Sequence, residues 1–283
     1  MSESGKNRRD RAAAARDAAN AQEKRRERIV RIVGAVTVIV VVVGIIGVAV
    51  IARNQSGDSS ASPTSTASAD PDAPLPTGAL PIDDEYAFGV PYGTGTDAVP
   101  VLAIWEDFQC PACGAVEAAN GAGIEKLAED GKVRLVWRPT TFLDGNLATD
   151  HSARAVSAWG CAIDAGKAKE FHTLVYANQP EVEGDGWTDE QLIGFGEQAG
   201  ISGADLETFT TCVTDRTYLG WGANSTAIFY ASGVGGTPSA TLNGVDIPTE
   251  ILVDQATLEA LVAEATTAMA GASSSPSPSP SAS

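Results

Sequence analysis

Two cysteines separated by two residues, Cys110 and Cys113, stand at a junction that few folds can build. Before them runs VPVLAIWEDF (99–108), apolar almost without a break at first, as a strand covered on both faces would be. After them comes a segment to Asp130 with Val116, Ile124 and Leu127 on one helical stripe, closed by Gly131 as a natural helix stop. VRLVWR (133–138) then reads as a second strand. A strand, a short helix and a strand in this order imply a right-handed crossover and parallel pairing.

A Cys-x-x-Cys pair alone is compatible with half a zinc site, a redox dithiol or a structural bridge. Zinc needs a second pair at matching spacing, whereas Cys161 and Cys212 are far apart and have no close partner. Position says more than the motif does. A thiol at Cys110 would face the unpaired backbone N–H groups and the positive end of a helix. Both favour the thiolate, taking its pKa from about 8.5 to between about 3.5 and 7. Pro111 suits the first helical turn, where a missing N–H is harmless. Cys113, one turn on, would lie on the buried side and could attack a mixed disulfide at Cys110, which is dithiol exchange.

Residues 147–233 read as helical for most of their length, with a capping box at Thr188–Gln191 ahead of Leu192, Ile193 and Phe195. Gly235-Gly236-Thr237-Pro238 follows, then Ser239–Leu242, an Asn243-Gly244 turn and Val245–Ile247, which is hairpin chemistry. An Ala-rich helix over Thr257–Met269 closes the pattern. The expectation is an α/β sheet interrupted by a helical insertion.

Outside this unit the sequence changes character. Residues 1–31 carry ten basic and five acidic side chains and read as a cytoplasmic basic segment, although the whole chain has a net charge of −17. Ile32 to Ala52 holds no charge over 21 residues, roughly 30 Å as a helix, and predicts one transmembrane helix. The preceding basic cluster predicts a cytoplasmic N-terminus and an extracytoplasmic remainder. The apolar run is longer than the core of a cleaved signal peptide. Residues 53–79 are Ser, Pro, Asp and Thr and read as a disordered linker, 80–270 as the folded domain, and 271–283 as a disordered Ser/Pro tail. So acidic a domain would repel phosphates, and no phosphate-cradling glycine motif is present, so nucleic-acid and nucleotide chemistry are not expected. With two histidines in the chain, no His-based metal centre and no cofactor are expected either.

A strand ending in EDFQ, then CPAC, and a distant Gly-Thr-Pro before a hairpin and a last helix resembles the DsbA-type thioredoxin-fold proteins over essentially all of residues 80–270. The resemblance implies a thioredoxin fold with a helical domain inserted at about 147–233. Cys110 and Cys113 become the catalytic pair. Pro238 should follow a cis peptide bond against them, with the Thr237 backbone turned out to pair with an extended substrate. Two departures stand out. Ala112 occupies a dipeptide position where DsbA proteins usually carry His, and Ile104 occupies the site, six residues before the first cysteine, of the usual buried acid. Glu106 and Asp107 are the candidate proton acceptors for Cys113, or else exposed loop acids. Cys161 and Cys212 are expected to form a structural disulfide, as in some DsbA-like proteins, a second redox pair being the sharper alternative. His151 and His172 read as ordinary helix residues and the five tryptophans as core, while Phe108 and Phe142 could line a groove for unfolded chains. The function implied is an extracytoplasmic dithiol oxidase for reduced or unfolded exported proteins. Its reoxidase would be a quinone-linked membrane protein of the DsbB or vitamin-K-epoxide-reductase-like type. A disulfide reductase or isomerase and a non-catalytic surface-anchored binding module are the alternatives.

Overall fold

The computed structural model describes residues 69–273. The basic segment 1–31, the apolar run 32–52, most of the linker and the last ten residues lie outside that range. No helix among the described residues is long and apolar enough to cross a membrane.

The centre of the molecule is a five-stranded mixed sheet of order β1-β3-β2-β4-β5. β2 (Val101–Glu106) lies parallel to β3 (Arg134–Pro139), with Ile104 opposite Trp137. β4 (Ser239–Leu242) runs antiparallel to β2, and β5 (Val245–Ile247) pairs with β4 across Asn243 and Gly244. Both turn residues have positive φ, 50° and 75°, which is what a two-residue hairpin turn matched to strand twist requires. β1 (Val90–Tyr92), antiparallel to β3 at the sheet edge, was not expected; three residues containing a proline carry no periodic signal.

Side chains alternate along β2. Leu102, Ile104 and Glu106 point to one face, while Ala103 and Trp105 point to the other. On the second face Trp105 meets Phe229 edge-on at 5.4 Å, and Arg138 lies over its ring at 3.9 Å. Against the first face packs a continuous helical rod made of α1 (Pro111–Val116), a π-helical turn (Glu117–Gly121) and α2 (Ala122–Glu129). The last helix, α10 (Gln255–Ser273), follows a single turn, α9 (Thr249–Leu252).

The insertion begins slightly earlier than the sequence suggested, with α3 (Phe142–Leu147). It continues through α4 (His151–Asp164), α5 (Ala168–Ala177), α6 (Asp189–Gln198), α7 (Ala204–Asp215) and α8 (Leu219–Ala231). α4 is its axis. Ala155 through Ile163 are buried on every side, which small residues permit, and a Cβ at Gly160 would come within 2.6 Å of the Tyr218 ring. A disulfide joins Cys161 of α4 to Cys212 of α7. The box before α6 closes as the sequence suggests: Thr188 Oγ1 accepts from the Gln191 N–H, and the Thr188 N–H donates to Gln191 Oε1.

Two boundaries need correction. The end of the expected linker is part of the fold. The Asp70 N–H donates to Asn224 Oδ1 at 2.8 Å, Asn224 Nδ2 returns a bond to the Asp70 carbonyl, and the Thr77 N–H donates to Asp164. Leu75 and Ala79 pack against the core, so a sparse apolar content still sufficed to dock this strap. At the other end α10 runs through Ser273, because the Ala-rich sequence continues the helix past Gly271.

Candidate active site

Cys110 is the residue from which the first helix starts, four positions after the last residue of β2, with φ −71° and ψ 117° and Pro111 in the first turn. The loop that carries it is clamped from the insertion. Gln109 Nε2 donates to Asp144 Oδ1 at 2.9 Å and to Ser152 Oγ at 2.7 Å, while Asp144 also accepts the Ser152 and Ala153 N–H groups that open α4. Gln179, just beyond α5, donates through Nε2 to the carbonyls of Phe108 and Cys110 at 2.7 and 2.9 Å. A Cβ at Gly114 would strike the Gln179 amide at 2.3 Å, so this glycine lets the clamp close.

The two sulfurs are free thiols in unequal settings. Cys110 keeps 7% of its surface exposed and Cys113 none, which leaves Cys110 as the one an incoming thiol can reach. The Cys110 thiol donates to the Thr237 carbonyl at 3.2 Å, and the Thr237–Pro238 peptide is cis. Its pKa is lowered to about 6, chiefly by the hydrogen bond from Cys113, with help from the Thr237 side chain and the backbone N–H groups of Cys113 and Ala112, against the opposing effect of burial. Burial and the neighbouring Cys110 push the Cys113 thiol well up. The pair therefore holds one ionised attacking sulfur and one protonated resolving sulfur, the division of labour that thiol–disulfide exchange uses.

The structure separates the two candidate acids. Asp107 leaves the strand sideways, and its carboxylate is occupied: Oδ1 accepts from the Gln109 N–H and from Ser152 Oγ at 2.6 Å, and Oδ2 accepts from the Leu143 N–H. It is a loop-fixing residue rather than a proton acceptor. Glu106 shares the face of Ile104 one pleat further on, so the acid missing at Ile104 is supplied two residues later on the same side. It is 5% exposed, and burial raises its pKa to about 8.

Beside it stands a residue sequence reasoning passed over. His172 Nε2 of α5 lies 2.9 Å from Glu106 Oε2, and burial lowers its pKa, keeping the ring neutral. Glu117, at the start of the π-helical turn, completes a cluster whose carboxyl oxygens and ring nitrogen lie within 4.8 Å of one another. That spacing would suit one small cation, but His172 bonds Glu106 directly and the Glu106 and Glu117 carboxyls hydrogen-bond each other. The only available signal was i, i+4 spacing of His172 and Tyr176 on one helix face. His151 instead meets Arg154 in the insertion, away from the dithiol.

Phe108 is not a groove residue. It is 3% exposed and packs edge-on against Trp159 and His172. Phe142 is half-buried at the start of α3 and rests on Phe229 at 5.2 Å. All five tryptophans are core.

A helix-initiating dithiol facing a cis-proline loop, on a sheet of this order with helices inserted, defines the class of thioredoxin-fold proteins of DsbA type. The thioredoxin family model Thioredoxin_4 matches residues 91–263, and the chain belongs to that family. Among solved structures it is similar to oxidised DsbA of Mycobacterium tuberculosis, with TM-score 0.53 and 24% identity, covering 65% of this chain and 98% of that one. It is also similar to MdbA, a thiol-disulfide oxidoreductase from Actinomyces oris, with TM-score 0.54 and 23% identity, covering 62% and 88%. These likenesses establish the fold. A curated relative, Na(+)/H(+) antiporter NhaA 3 of Salinispora tropica, is 30% identical over 151 residues, 53% of this chain. The chain spans only 21% of that antiporter's length.

Proposed function

We propose that the protein is an extracytoplasmic thiol–disulfide oxidoreductase that introduces disulfides into reduced or unfolded exported proteins. The observation that carries this reading is the asymmetry of the pair: an accessible Cys110 with pKa lowered to about 6 above a sealed, protonated Cys113. A substrate thiolate attacks the Cys110 sulfur of the Cys110–Cys113 disulfide, and Cys113 leaves with the electron pair and takes a proton. The second substrate thiolate attacks the substrate sulfur of the mixed disulfide and releases Cys110 as a thiolate. The substrate has lost two electrons and the enzyme has gained them. Thr237, whose backbone lies beside Cys110, would hold the substrate strand.

The oxidase direction rests on compartment more than on acidity. A pKa of about 6 favours the reduced pair at pH 7 by about 1.4 kcal/mol, or about 30 mV, a fraction of the span between about −270 and −120 mV. The apolar run 32–52, preceded by basic residues, supports a cell-membrane anchor with the domain outside, where dithiols are kept oxidised. A quinone-linked membrane protein of the DsbB or vitamin-K-epoxide-reductase-like type would reoxidise it. The same modest acidity favours a reductase or isomerase as the second reading. Equilibration with glutathione decides between them. A potential nearer −120 than −270 mV, with oxidation of a reduced, unfolded protein abolished in Cys110→Ser, supports the oxidase. A value near −270 mV assigns the reductive role, and undiminished activity of Cys110→Ser removes the dithiol from the chemistry altogether.

A further inference from the structure

Beneath the dithiol lies a set of groups that the exchange at Cys110 does not itself require. His172 is fixed among rings, stacked on Trp137 at 4.7 Å and edge-on to Tyr176 at 5.0 Å, with its Nε2 against Glu106. Glu117 owes its position to two features of the helical rod. The π-helical turn starts at this residue, and Gly121 leaves room for its carboxyl: a Cβ there would come within 2.3 Å of Glu117 Oε2. π-turns within α-helices recur where a side chain must be re-aimed. Glu117 also lines, with Tyr176, Glu125 and Thr173, a cleft of about 280 Å³ between the rod and α5. The rim residues Ala118, Ala122 and Ala177 are exposed, so the cleft is open to water.

We propose that Glu106, His172 and Glu117 form a proton relay joining the buried Cys113 sulfur to this cleft, with Glu117 as the solvent-side end. The proposal rests on the dithiol being the redox site. When substrate breaks the Cys110–Cys113 bond, Cys113 departs as a thiolate in a sealed site and takes its proton from the Glu106 carboxyl. Glu106 is reprotonated by Glu117, whose carboxyl hydrogen-bonds it, while His172 Nε2 holds the Glu106 carboxyl in place, and the cleft supplies the proton. In reoxidation by a disulfide-bearing oxidant the path reverses. Cys113 gives its proton to one oxygen of the neutral Glu106 carboxyl as the proton on the other oxygen passes to Glu117, which sheds its own proton to the cleft; the Cys113 thiolate attacks the mixed disulfide at Cys110, and the electron pair leaves with the oxidant's sulfur.

The surroundings suit this task. Burial holds Glu106 and Glu117 neutral up to about 8, so each has a proton to give at neutral pH. The Tyr176 hydroxyl, without a hydrogen-bond partner among the described residues, is held protonated by burial and by Glu106, Cys113 and Glu117. Glu125 of α2 faces the same groups from the cleft side, and Asp107 lies nearby, bound to Ser152. Lys169, the nearest cation on α5, is bound to Glu129 at 2.8 Å and does not neutralise the set.

Stopped-flow kinetics test the relay in the full chain with two small probes, dithiothreitol for reduction and oxidised glutathione for reoxidation. Glu117→Gln, and Gly121→Ala, which displaces the Glu117 carboxyl without removing it, should leave the ultraviolet titration of the Cys110 thiolate in place. Both should also leave its first reaction with glutathione disulfide unchanged. The later step, attack by Cys113, should slow about tenfold near neutral pH and lose the wild-type shape of its pH–rate profile. His172→Gln should act in the same direction. Profiles superimposable on wild type in Glu117→Gln and Gly121→Ala would overturn the relay while leaving the dithiol reading intact. Exchange that survives Cys110→Ser would instead overturn the dithiol reading, and the relay with it.

Discussion

Replacing Cys113 by Ala isolates what makes Cys110 acidic. The largest contribution to the lowered Cys110 pKa is the hydrogen bond that the Cys113 thiol donates to the thiolate. A hydrogen bond to a charged group contributes about 1.5–3 kcal/mol, or about one to two pKa units. Cys113→Ala should therefore raise the Cys110 midpoint from about 6 to between about 7 and 8. The Thr237 side chain and the backbone N–H groups of Ala112 and residue 113 remain, which keeps the value below that of a free cysteine. Cys113→Ser keeps a donor at the same place and should stay within about half a unit of wild type. Ultraviolet absorbance of the thiolate against pH reads the midpoint, and the pH dependence of iodoacetamide alkylation reads it independently. The smaller alanine also relieves a little of the burial that opposes ionisation, an effect of opposite sign. An alanine variant with a midpoint at or below that of the reduced wild type would show that the backbone, not the partner thiol, sets the acidity.

Two further outcomes follow from the insertion and from the buried acids. Opening the Cys161–Cys212 bond frees a loop with a sequence separation of 51, so the Cys161→Ser/Cys212→Ser protein should lose about 4 kcal/mol and melt roughly 10 °C lower, with Cys110 chemistry unchanged. In the oxidised protein, where Cys110 does not titrate, the raised pKa values of Glu106 and Glu117 make their contribution to stability fully present below the unfolded carboxylate pKa of 4.5. That contribution is lost as pH rises through about 8, so urea midpoints should fall over this window, and fall less in Glu117→Gln. Asp107, raised to about 7, adds a decline of the same sign that the variant retains.

What the sequence disclosed and what it withheld divide along a physical line. The dithiol at a helix start, the Thr188 capping box and the Asn243-Gly244 hairpin are local, since each is fixed by residues within a few positions of one another. Glu106 was half legible. Its place on the face of Ile104 follows from the two-residue period of a strand, but its burial depends on α5, which arrives 66 residues later. His172 looked ordinary because its spacing to Tyr176 within α5 is common on any buried helix face; its partner is on β2. Asp107 and Glu106 are neighbours with the same chemistry, and only the Ser152 hydroxyl and the N–H groups of Gln109 and Leu143 tell them apart. The strap at 69–79 failed for a related reason. Pro- and Ala-rich sequence reads as tether, yet a pair of side-chain amide bonds to Asn224 is enough to dock it.

The insertion therefore supports the dithiol from two directions. The first β-α-β unit supplies the strand end, the helix start and both sulfurs, but leaves Glu106 facing a gap beneath Cys113. α5 fills that gap with His172 and Tyr176, and Gln179 just past its end takes the carbonyls of Phe108 and Cys110. One helix of the insertion thus contacts the dithiol's loop from the side and its buried acid from below. Because the same helix forms one wall of the open cleft, a shift of α5 against the rod would alter the Cys110 loop, the Glu106 contact and proton access together. The setting of the buried acid and of the Cys110 loop therefore depends on how the insertion seats on the sheet. Grafting the sequence Cys110–Cys113 onto a thioredoxin core without α5 would carry over the sulfurs and the helix-start N–H groups that acidify Cys110, but neither the His172–Glu106 contact nor the Gln179 clamp.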